Sequence, residues 1–133
     1  MNRCGIDIVE IARIRNLRHK EDFLQRIFSP RELELAAARG NRDEFFAGRW
    51  AAKEAVAKAL GCGFGKNCSP AEIEVLPDEL NSPVLHLSGE AEKRAGVLGI
   101  TAWSVSISHE KNYAVAMAVA ETISFVTQGG QNV

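Results

Sequence analysis

The chain has 133 residues, 46% of them hydrophobic and 25% charged, and this length and composition predict one folded domain over residues 1–133 rather than a disordered chain. Sixteen Lys and Arg residues against 17 Asp and Glu residues leave a net charge of −1, which argues against a protein that binds nucleic acid mainly through overall positive charge. The longest uncharged run near the end, 95–108, is shorter than the ~20 apolar residues that cross a bilayer, so no membrane span is expected.

The first residues reach Asp7 and Glu10 without the apolar stretch of a secretory signal, and we therefore expect a cytoplasmic location. The three cysteines, Cys4, Cys62 and Cys68, show neither a CxxC spacing nor a neighbouring histidine. They predict reduced structural thiols rather than a disulfide framework or a zinc site.

The first predicted element is a strand over 4–11. Its alternation places Ile6 and Ile8 on one face and Asp7 and Val9 on the other, so Asp7 lies in the middle of the strand. Apolar residues at roughly helical spacing then predict a short helix over 11–17. The charged positions along this helix predict one basic face, formed by Arg13, Arg15 and Arg18.

Two further helices follow in the N-terminal half. Ser29 as a cap, Pro30 at the first helical position and Glu32 as the partner in a capping box predict a helix that runs to about residue 39. A longer helix over 43–60 ends at Gly61, a typical C-cap. Its inward stripe is expected to include Trp50, Ala57 and Leu60. The three glycines of segment 61–66 predict a tight, shaped loop.

The second half of the chain is mostly strand. A helix is predicted over 89–95 and a hairpin turn over 110–112, which makes the last two strands antiparallel. The predicted strands cover 72–77, 84–88, 102–109 and 113–120, and the end, 127–133, is expected to fray. These elements predict an α+β fold.

Two carboxylates stand out on the predicted elements. Glu54 and Lys58 are four residues apart, a spacing that an ordinary surface ion pair would also explain. Glu54 lies in a partly apolar stretch of the helix, however, and Asp7 lies between two isoleucines, so both need a compensating partner if they are buried. Two such carboxylates brought together would suit Mg²⁺, which retains waters and accepts phosphate oxygens.

Other signals are weak when taken singly. His109 ends a strand on which Ser106 and Ser108 share one face, and such a histidine is usually a surface or structural residue. The glycine-rich loop could simply cap the helix, or its backbone N–H groups could line a phosphate site. Arg49 and Lys53 would normally form a solvated face, although they would supply charge beside a polyphosphate.

Several segments together resemble one known family. They are GIDIVE at 5–10, FAGRWAAKEA at 46–55, KALG at 58–61 and SISH at 106–109, supported by Arg26, FSPREL at 28–33 and NSP at 81–83. In this order they resemble the holo-[acyl-carrier-protein] synthase family, the small 4′-phosphopantetheinyl transferases. The resemblance implies transfer of 4′-phosphopantetheine from coenzyme A to a serine of an apo acyl carrier protein, with Mg²⁺ as cofactor, in support of fatty acid biosynthesis.

The resemblance also implies roles for individual residues. Asp7 and Glu54 match the metal-binding carboxylates, and Glu54 and Lys58 are the implied catalytic residues. The implied coenzyme A contacts are Arg49, Lys58, Gly61, Gly63, Gly65, Ser108 and His109. The implied contacts with the acidic carrier protein are Arg13, Leu17, Arg18, Phe23 and Arg26. The base that takes the serine proton stays open among a metal-linked water, Glu54 and Lys58.

The implied architecture is an antiparallel sheet packed against a long helix. The resemblance also implies that one such half-unit assembles as a homotrimer with active sites shared between neighbours. A non-catalytic coenzyme A or carrier-protein binding module of the same fold is the alternative function, and intact Asp7, Glu54 and Lys58 argue against it. A Nudix hydrolase is disfavoured, because the sequence after Arg31-Glu32-Leu33-Glu34 lacks that motif's glutamate pair.

Overall fold

The computed structural model describes residues 1–20, 22–65 and 68–123, so the expectations for Lys66 and for 127–133 lie outside the described residues. The helices and strands of these ranges follow one another as β1 (Asn2–Glu10), α1 (Ile11–Leu17), α2 (Phe23–Ile27), α3 (Pro30–Ala37), α4 (Arg42–Leu60), β2 (Ile73–Pro77), β3 (Pro83–Leu87), α5 (Gly89–Val97), β4 (Ile100–His109) and β5 (Tyr113–Thr122). Within them, none of the helices is both long and apolar enough to cross a bilayer.

The strands form two antiparallel sheets. The larger has the order β1-β5-β4, and β2 pairs with β3 in a separate two-stranded sheet. At the tight turn between β4 and β5 the Glu110 backbone N–H donates to the carbonyl of Tyr113 at 2.9 Å. The α+β class and the antiparallel pairing of the last two strands are therefore confirmed, whereas the division into two sheets was not predicted.

Helix α4 packs across the inner face of the larger sheet, against β1 and β5. The helix can lie close to the sheet because its contacting side chains are small, and five of its alanines are at most 1% exposed: Ala47, Ala51, Ala52, Ala55 and Ala59. The closest approach is at Gly5, where an added Cβ would lie 1.9 Å from the carbonyl oxygen of Ala55. Glycine is therefore required at this point of β1.

The larger sheet has an exposed apolar outer face. Ile6 is 60% exposed, Ile8 is 64% exposed, and Met117 of the neighbouring β5 is 47% exposed. The inner face of β1 carries Asp7 and the buried Val9. The predicted division of β1 into two faces is correct, but the isoleucines lie on the solvent side and the aspartate on the side of the helix.

Several predicted boundaries are confirmed and some are shifted. The capping box of Ser29 and Glu32 is present at the start of α3, and Gly61 ends α4 in the left-handed conformation with a φ of 72°. Helix α3 stops at Ala37, two residues early, and helix α2 was not predicted. Its five residues are too few for a helical hydrophobic period to show in the sequence.

One expectation about α4 is wrong. Lys53 does not belong to a solvated face, because its side chain is 0% exposed and its ammonium donates to Glu32 Oε1 at 2.7 Å. The same ammonium donates to the carbonyls of Pro70 (2.9 Å) and Ile73 (2.6 Å), while Glu32 Oε2 accepts from the Val75 backbone N–H at 3.0 Å. This buried pair joins α3, α4 and β2.

Candidate active site

Asp7 and Glu54 are brought together where β1 crosses α4. Asp7 pairs with Ala116 across the β1–β5 ladder, and its side chain is 18% exposed on the helix side of the sheet. Burial raises the pKa of Glu54, and the negative charge of Asp7 raises it further, while Lys58 and Arg13 act in the opposite direction. The two carboxylates therefore repel each other in a partly desolvated setting.

Lys58 lies one helical turn beyond Glu54 and contacts β1 directly. Its ammonium donates to Asp7 Oδ1 at 3.0 Å and to the carbonyl of Ile6 at 2.8 Å. The side chain is 54% exposed, so the ammonium is accessible from solvent. An ion pair within α4, between Glu54 and Lys58, was the alternative explanation of their spacing, and the structure pairs Lys58 with Asp7 of the strand.

The donor set of this site fits Mg²⁺. Two carboxylates supply hard oxygen ligands, and their mutual repulsion is a reason for a cation to bind between them. Among the described residues no group of three or more His, Cys, Asp or Glu side chains could enclose a metal. A site of two carboxylates leaves positions for water and phosphate oxygens, which is typical of Mg²⁺ in phosphate chemistry.

The glycine-rich loop begins directly after α4. The Cys62 backbone N–H donates to the carbonyl of Ala57 at 3.1 Å, and Gly61 provides the left-handed turn between them. An added Cβ would meet no heavy atom within 4 Å at Gly63 or at Gly65. The described part of the loop therefore presents open backbone, to which a ligand has access.

Two arginines from neighbouring elements hold the end of α4 in place. Arg3 Nε donates to the carbonyl of Ala59 at 2.7 Å, and Arg94 Nε donates to the carbonyl of Leu60 at 3.0 Å. Cations at this position satisfy the last carbonyls and interact favourably with the helix dipole. The start of the loop is thus fixed relative to β1 and α5.

A second group of predicted residues lies around a cavity of about 480 Å³. Arg49 and His109 line it, together with Arg39, Glu44 and Phe45. The guanidinium carbons of Arg49 and Arg39 lie 4.7 Å and 5.2 Å from the Phe45 ring centroid, and His109 Nδ1 lies 3.7 Å from Glu44 Oε2. Burial lowers the pKa of Arg49, and Arg39 lowers it further.

This cavity can receive an anion, because two guanidinium groups line it. Arg39 and Glu44 were not predicted as site residues. Arg39 stands at the predicted end of a helix and belongs to no motif, so the sequence carried no signal for it. Glu44 is one of two acidic residues in the first turn of α4. Acidic residues are common at this position of a helix, so Glu44 also carried no signal of a site.

The two groups of residues are separated within one chain. Strand β5 lies between β1 and β4, so Asp7 and His109 lie on strands about 10 Å apart, or two strand spacings. Ser108 is exposed and pairs with Val115, whereas its neighbour His109 lines the cavity on the helix side. The structure thus brings Asp7, Glu54 and Lys58 together, and Arg49 with His109, but does not join the two groups.

The predicted carrier-protein surface is only partly exposed. Arg13 and Arg26 are exposed and Leu17 is half-buried, but Arg18 forms an ion pair with Asp43 at 2.5 Å. Phe23 is 9% exposed and packs on Trp50 with ring centroids 6.3 Å apart, so it belongs to the core. Phe23 is therefore corrected from a surface contact to a core residue.

The basic residues of α1 do not form the single face that the sequence predicted. Arg15 and Arg18 both pair with Asp43 at the start of α4. Arg13 acts electrostatically on Glu54 instead. Residues 13 and 15 lie about 200° apart around a helix, which explains the division.

Known proteins resemble this chain over most of its length. A family model described as the 4′-phosphopantetheinyl transferase superfamily matches residues 3–118. A holo-[acyl-carrier-protein] synthase of Hydrogenovibrio crunogenus is 43% identical over 90% of this chain and 96% of its own length. One of Clostridium novyi is 44% identical over 88% of this chain and 85% of its own length.

Solved structures agree with these relatives. The crystal structure of the holo-[acyl-carrier-protein] synthase from Neisseria meningitidis has a TM-score of 0.83 and 34% identity, covering 90% of this chain and 98% of that one. A complex of the enzyme from Helicobacter pylori with coenzyme A has a TM-score of 0.77 and 38% identity, covering 89% of this chain and 99% of that one. The likeness therefore extends to both sequence and backbone.

Proposed function

The chain belongs to the 4′-phosphopantetheinyl transferase superfamily, and we propose that it is a holo-[acyl-carrier-protein] synthase whose reaction centre is the pair of Asp7 and Glu54. It transfers the 4′-phosphopantetheine group of coenzyme A to a serine of an apo acyl carrier protein. The products are the holo carrier protein and adenosine 3′,5′-bisphosphate. The observation that carries the assignment of the centre is the meeting of both carboxylates with Lys58 where β1 crosses α4.

The reaction breaks the phosphoanhydride bond of coenzyme A and forms a phosphate ester bond to the serine. The serine oxygen attacks the phosphorus that carries the pantetheine arm, and the P–O bond to the adenosine bisphosphate breaks. Asp7 and Glu54 would hold Mg²⁺, which supplies neutralisation of the pyrophosphate charge when it is bound. We assign Lys58 the role of a cation beside the leaving group, because its ammonium is exposed and within 3.0 Å of Asp7.

The serine has to lose its proton during the attack. A carboxylate oxygen that is not bound to the metal can take this proton through a water, and Glu54 lies at the reaction centre. We therefore assign proton acceptance to Glu54 through a water that it holds. Lys58 stays a cation, because its ammonium already donates to Asp7 and to the carbonyl of Ile6.

We assign the nucleotide end of coenzyme A to the cavity lined by Arg49 and His109. Its stacked guanidinium groups suit a phosphate, and the Phe45 ring lies beside them. Because this cavity is separated from Asp7 and Glu54 within one chain, a neighbouring copy would complete the site. The exposed apolar face of the sheet supports a homotrimer with shared sites, since copies packed there would bury Ile6, Ile8 and Met117.

The carrier protein is assigned to the exposed residues beside the carboxylates. Arg13 contributes to the electrostatics of Glu54, and an acidic partner bound to Arg13, Leu17 and Arg26 would present its serine near the reaction centre.

Arg13→Glu is expected to raise the KM for the carrier protein more than tenfold and the KM for coenzyme A less than twofold. Arg42→Glu, an exposed change at the start of α4, is the charge control. Equal effects on both substrates would remove Arg13 from the docking surface.

The test of the function is intact-protein mass spectrometry of an apo acyl carrier protein incubated with this chain, coenzyme A and Mg²⁺. We expect the mass of the carrier protein to increase by that of one phosphopantetheine group. This increase should disappear when the metal is chelated and when Glu54→Gln replaces the wild type. Glu92→Gln, an exposed carboxylate of α5, is the matched control and should transfer normally. Binding of coenzyme A without transfer to several carriers would favour the non-catalytic module. A role in fatty acid biosynthesis and a cytoplasmic location are parts of this proposal.

A further inference from the structure

Two cysteines beside the glycine-rich loop are in direct contact. Cys62 Sγ and Cys68 Sγ lie 3.0 Å apart, and both thiols are free. A disulfide bond is about 2.05 Å long, so the sulfurs need to approach by only about 1 Å to bond. Cys68 is 0% exposed, whereas Cys62 is half-buried. The third cysteine, Cys4, is exposed on β1 and pairs in register with Val119.

The backbone holds both thiols in this arrangement. At one end, Cys62 is fixed by the C-cap of α4, where its N–H donates to the carbonyl of Ala57. At the other, the carbonyl of Cys68 accepts from the Gly65 N–H at 2.7 Å, and its thiol donates to the carbonyl of Gly63 at 3.7 Å. The contact between the sulfurs is therefore part of the packing at the end of the helix rather than a chance approach of two exposed side chains.

We propose that Cys62 and Cys68 form a redox-sensitive modification site, at which a low-molecular-weight disulfide oxidises the pair to an intrachain disulfide. The Cys62 sulfur attacks one sulfur of the oxidant RSSR, and RSH leaves with the proton of the thiol. The Cys68 sulfur then attacks Cys62 Sγ, and the second RSH leaves. Two thiols are oxidised and one disulfide is reduced, so atoms and electrons balance.

The two thiols have different parts in this sequence. Cys62 is the accessible one and meets the oxidant first. Burial raises the pKa of Cys68 to about 12, and its contact with Cys62 contributes to the shift, so Cys68 is protonated and unreactive while Cys62 is reduced. Once Cys62 is in the mixed disulfide its part of the shift is lost, and the Cys68 proton passes to the departing RSH in the second step. The proximity of Cys68 to Cys62 gives it a high effective concentration for the second, internal step.

The bond would link the C-terminal end of α4 to the segment that leads into β2. It therefore closes the base of the loop on the helix that carries Glu54 and Lys58. The test does not depend on the proposed function, because it reads the disulfide itself and requires neither coenzyme A nor a carrier protein.

The full chain is equilibrated in mixtures of reduced and oxidised glutathione, quenched with acid, unfolded in concentrated urea, alkylated with excess iodoacetamide at mildly alkaline pH and weighed intact. In reducing mixtures we expect three alkyl groups, one for each cysteine. In oxidising mixtures we expect the loss of two hydrogens and a single alkyl group, placed on Cys4 by peptide mapping. Cys4→Ser should keep the disulfide, whereas Cys62→Ser and Cys68→Ser should each abolish it.

A denatured sample provides the decisive comparison. If the folded packing favours the bond, the folded chain should become half-oxidised at a ratio of oxidised glutathione to the square of the reduced glutathione concentration about tenfold lower than the chain in concentrated urea. Glutathione trapped on Cys62 without closure, a link between two chains, or equal ratios in the folded and unfolded states would each overturn the proposal.

Discussion

Glu54 is held in a position that disfavours its own charge. Burial and the charge of Asp7 raise its pKa above the ordinary value of 4.5, and the side chain is half-buried. A carboxyl with a raised pKa in the folded state favours folding below pH 4.5, and that contribution is lost as the pH rises through the raised value. At pH 7 without a divalent cation, the charged Glu54 therefore opposes folding.

The replacement Glu54→Gln should consequently stabilise the protein while it abolishes transfer. In melts without divalent cation, the variant is expected to unfold at a higher temperature than the wild type at pH 7, and the difference should shrink as the pH falls toward 4.5. Glu92→Gln, whose carboxylate is exposed, should show little pH-dependent difference. A variant that melts below the wild type at pH 7 would contradict the electrostatic account of the site.

Among single residues, prediction succeeded where a local signal exists. Asp7 and Glu54 could be predicted because each carboxylate lies among apolar residues of its strand or helix, which the sequence alone shows. The structure brings the two together. Lys53 and Phe23 were misread because their burial depends on elements distant in sequence. Lys53 reaches Glu32, 21 residues away, and Phe23 packs on Trp50 of a different helix.

At the scale of elements, the position of Asp7 beside α4 depends on the close approach at Gly5. Gly5→Ala would place a methyl group 1.9 Å from the carbonyl oxygen of Ala55, so the strand and the helix must move apart. We expect a loss of about 1–3 kcal/mol in the free energy of unfolding, measured by urea denaturation.

The control for Gly5→Ala is Gly96→Ala on α5. This position has nothing within 4 Å of an added Cβ and lies inside a helix, so the same change should be stabilising by up to about 1 kcal/mol. If both variants lost the same stability, the close packing of β1 on α4 would not be the cause.

The buried pair of Lys53 and Glu32 holds three elements together. Lys53→Met leaves the Glu32 carboxylate buried without its cation, and we expect a loss of about 3–5 kcal/mol in urea denaturation. The double variant Glu32→Gln, Lys53→Met removes both charges and should recover part of that loss. A double variant no more stable than Lys53→Met would show that the carboxylate charge is not what destabilises the single variant.

Elements with strong local signals were predicted well, and those without them were missed. The capping box of α3 and the glycine that ends α4 are chemical signals within a few residues of sequence, and both are confirmed. The five-residue α2 has no such signal. The separation of β2 and β3 into their own sheet depends on which strands pair, and alternation within each strand carries no information about pairing.

Two features of the whole molecule have no explanation in a single copy of the chain. One face of the larger sheet exposes Ile6, Ile8 and Met117, although isolated soluble domains rarely expose contiguous apolar patches of large area. In addition, the carboxylates of β1 and the cavity beside β4 are separated by β5. Assembly of copies through the apolar face accounts for both features if each active site takes one group of residues from each neighbour.

This arrangement predicts complementation between two inactive variants. Glu54→Gln lacks the reaction centre and His109→Ala lacks the cavity histidine, so each should be inactive or strongly impaired alone. When the two are co-expressed, random mixing places an intact centre opposite an intact cavity at about a quarter of the interfaces, and transfer should return to about that fraction of the wild-type rate.

The apolar face can be tested in the same assay. Adding Ile8→Glu to both variants should reduce the mass of the assembly in light scattering and abolish the recovered activity. Val97→Glu, an exposed apolar position on α5, should leave both unchanged. Failure of the two variants to complement while they co-assemble would mean that each chain builds its active site alone.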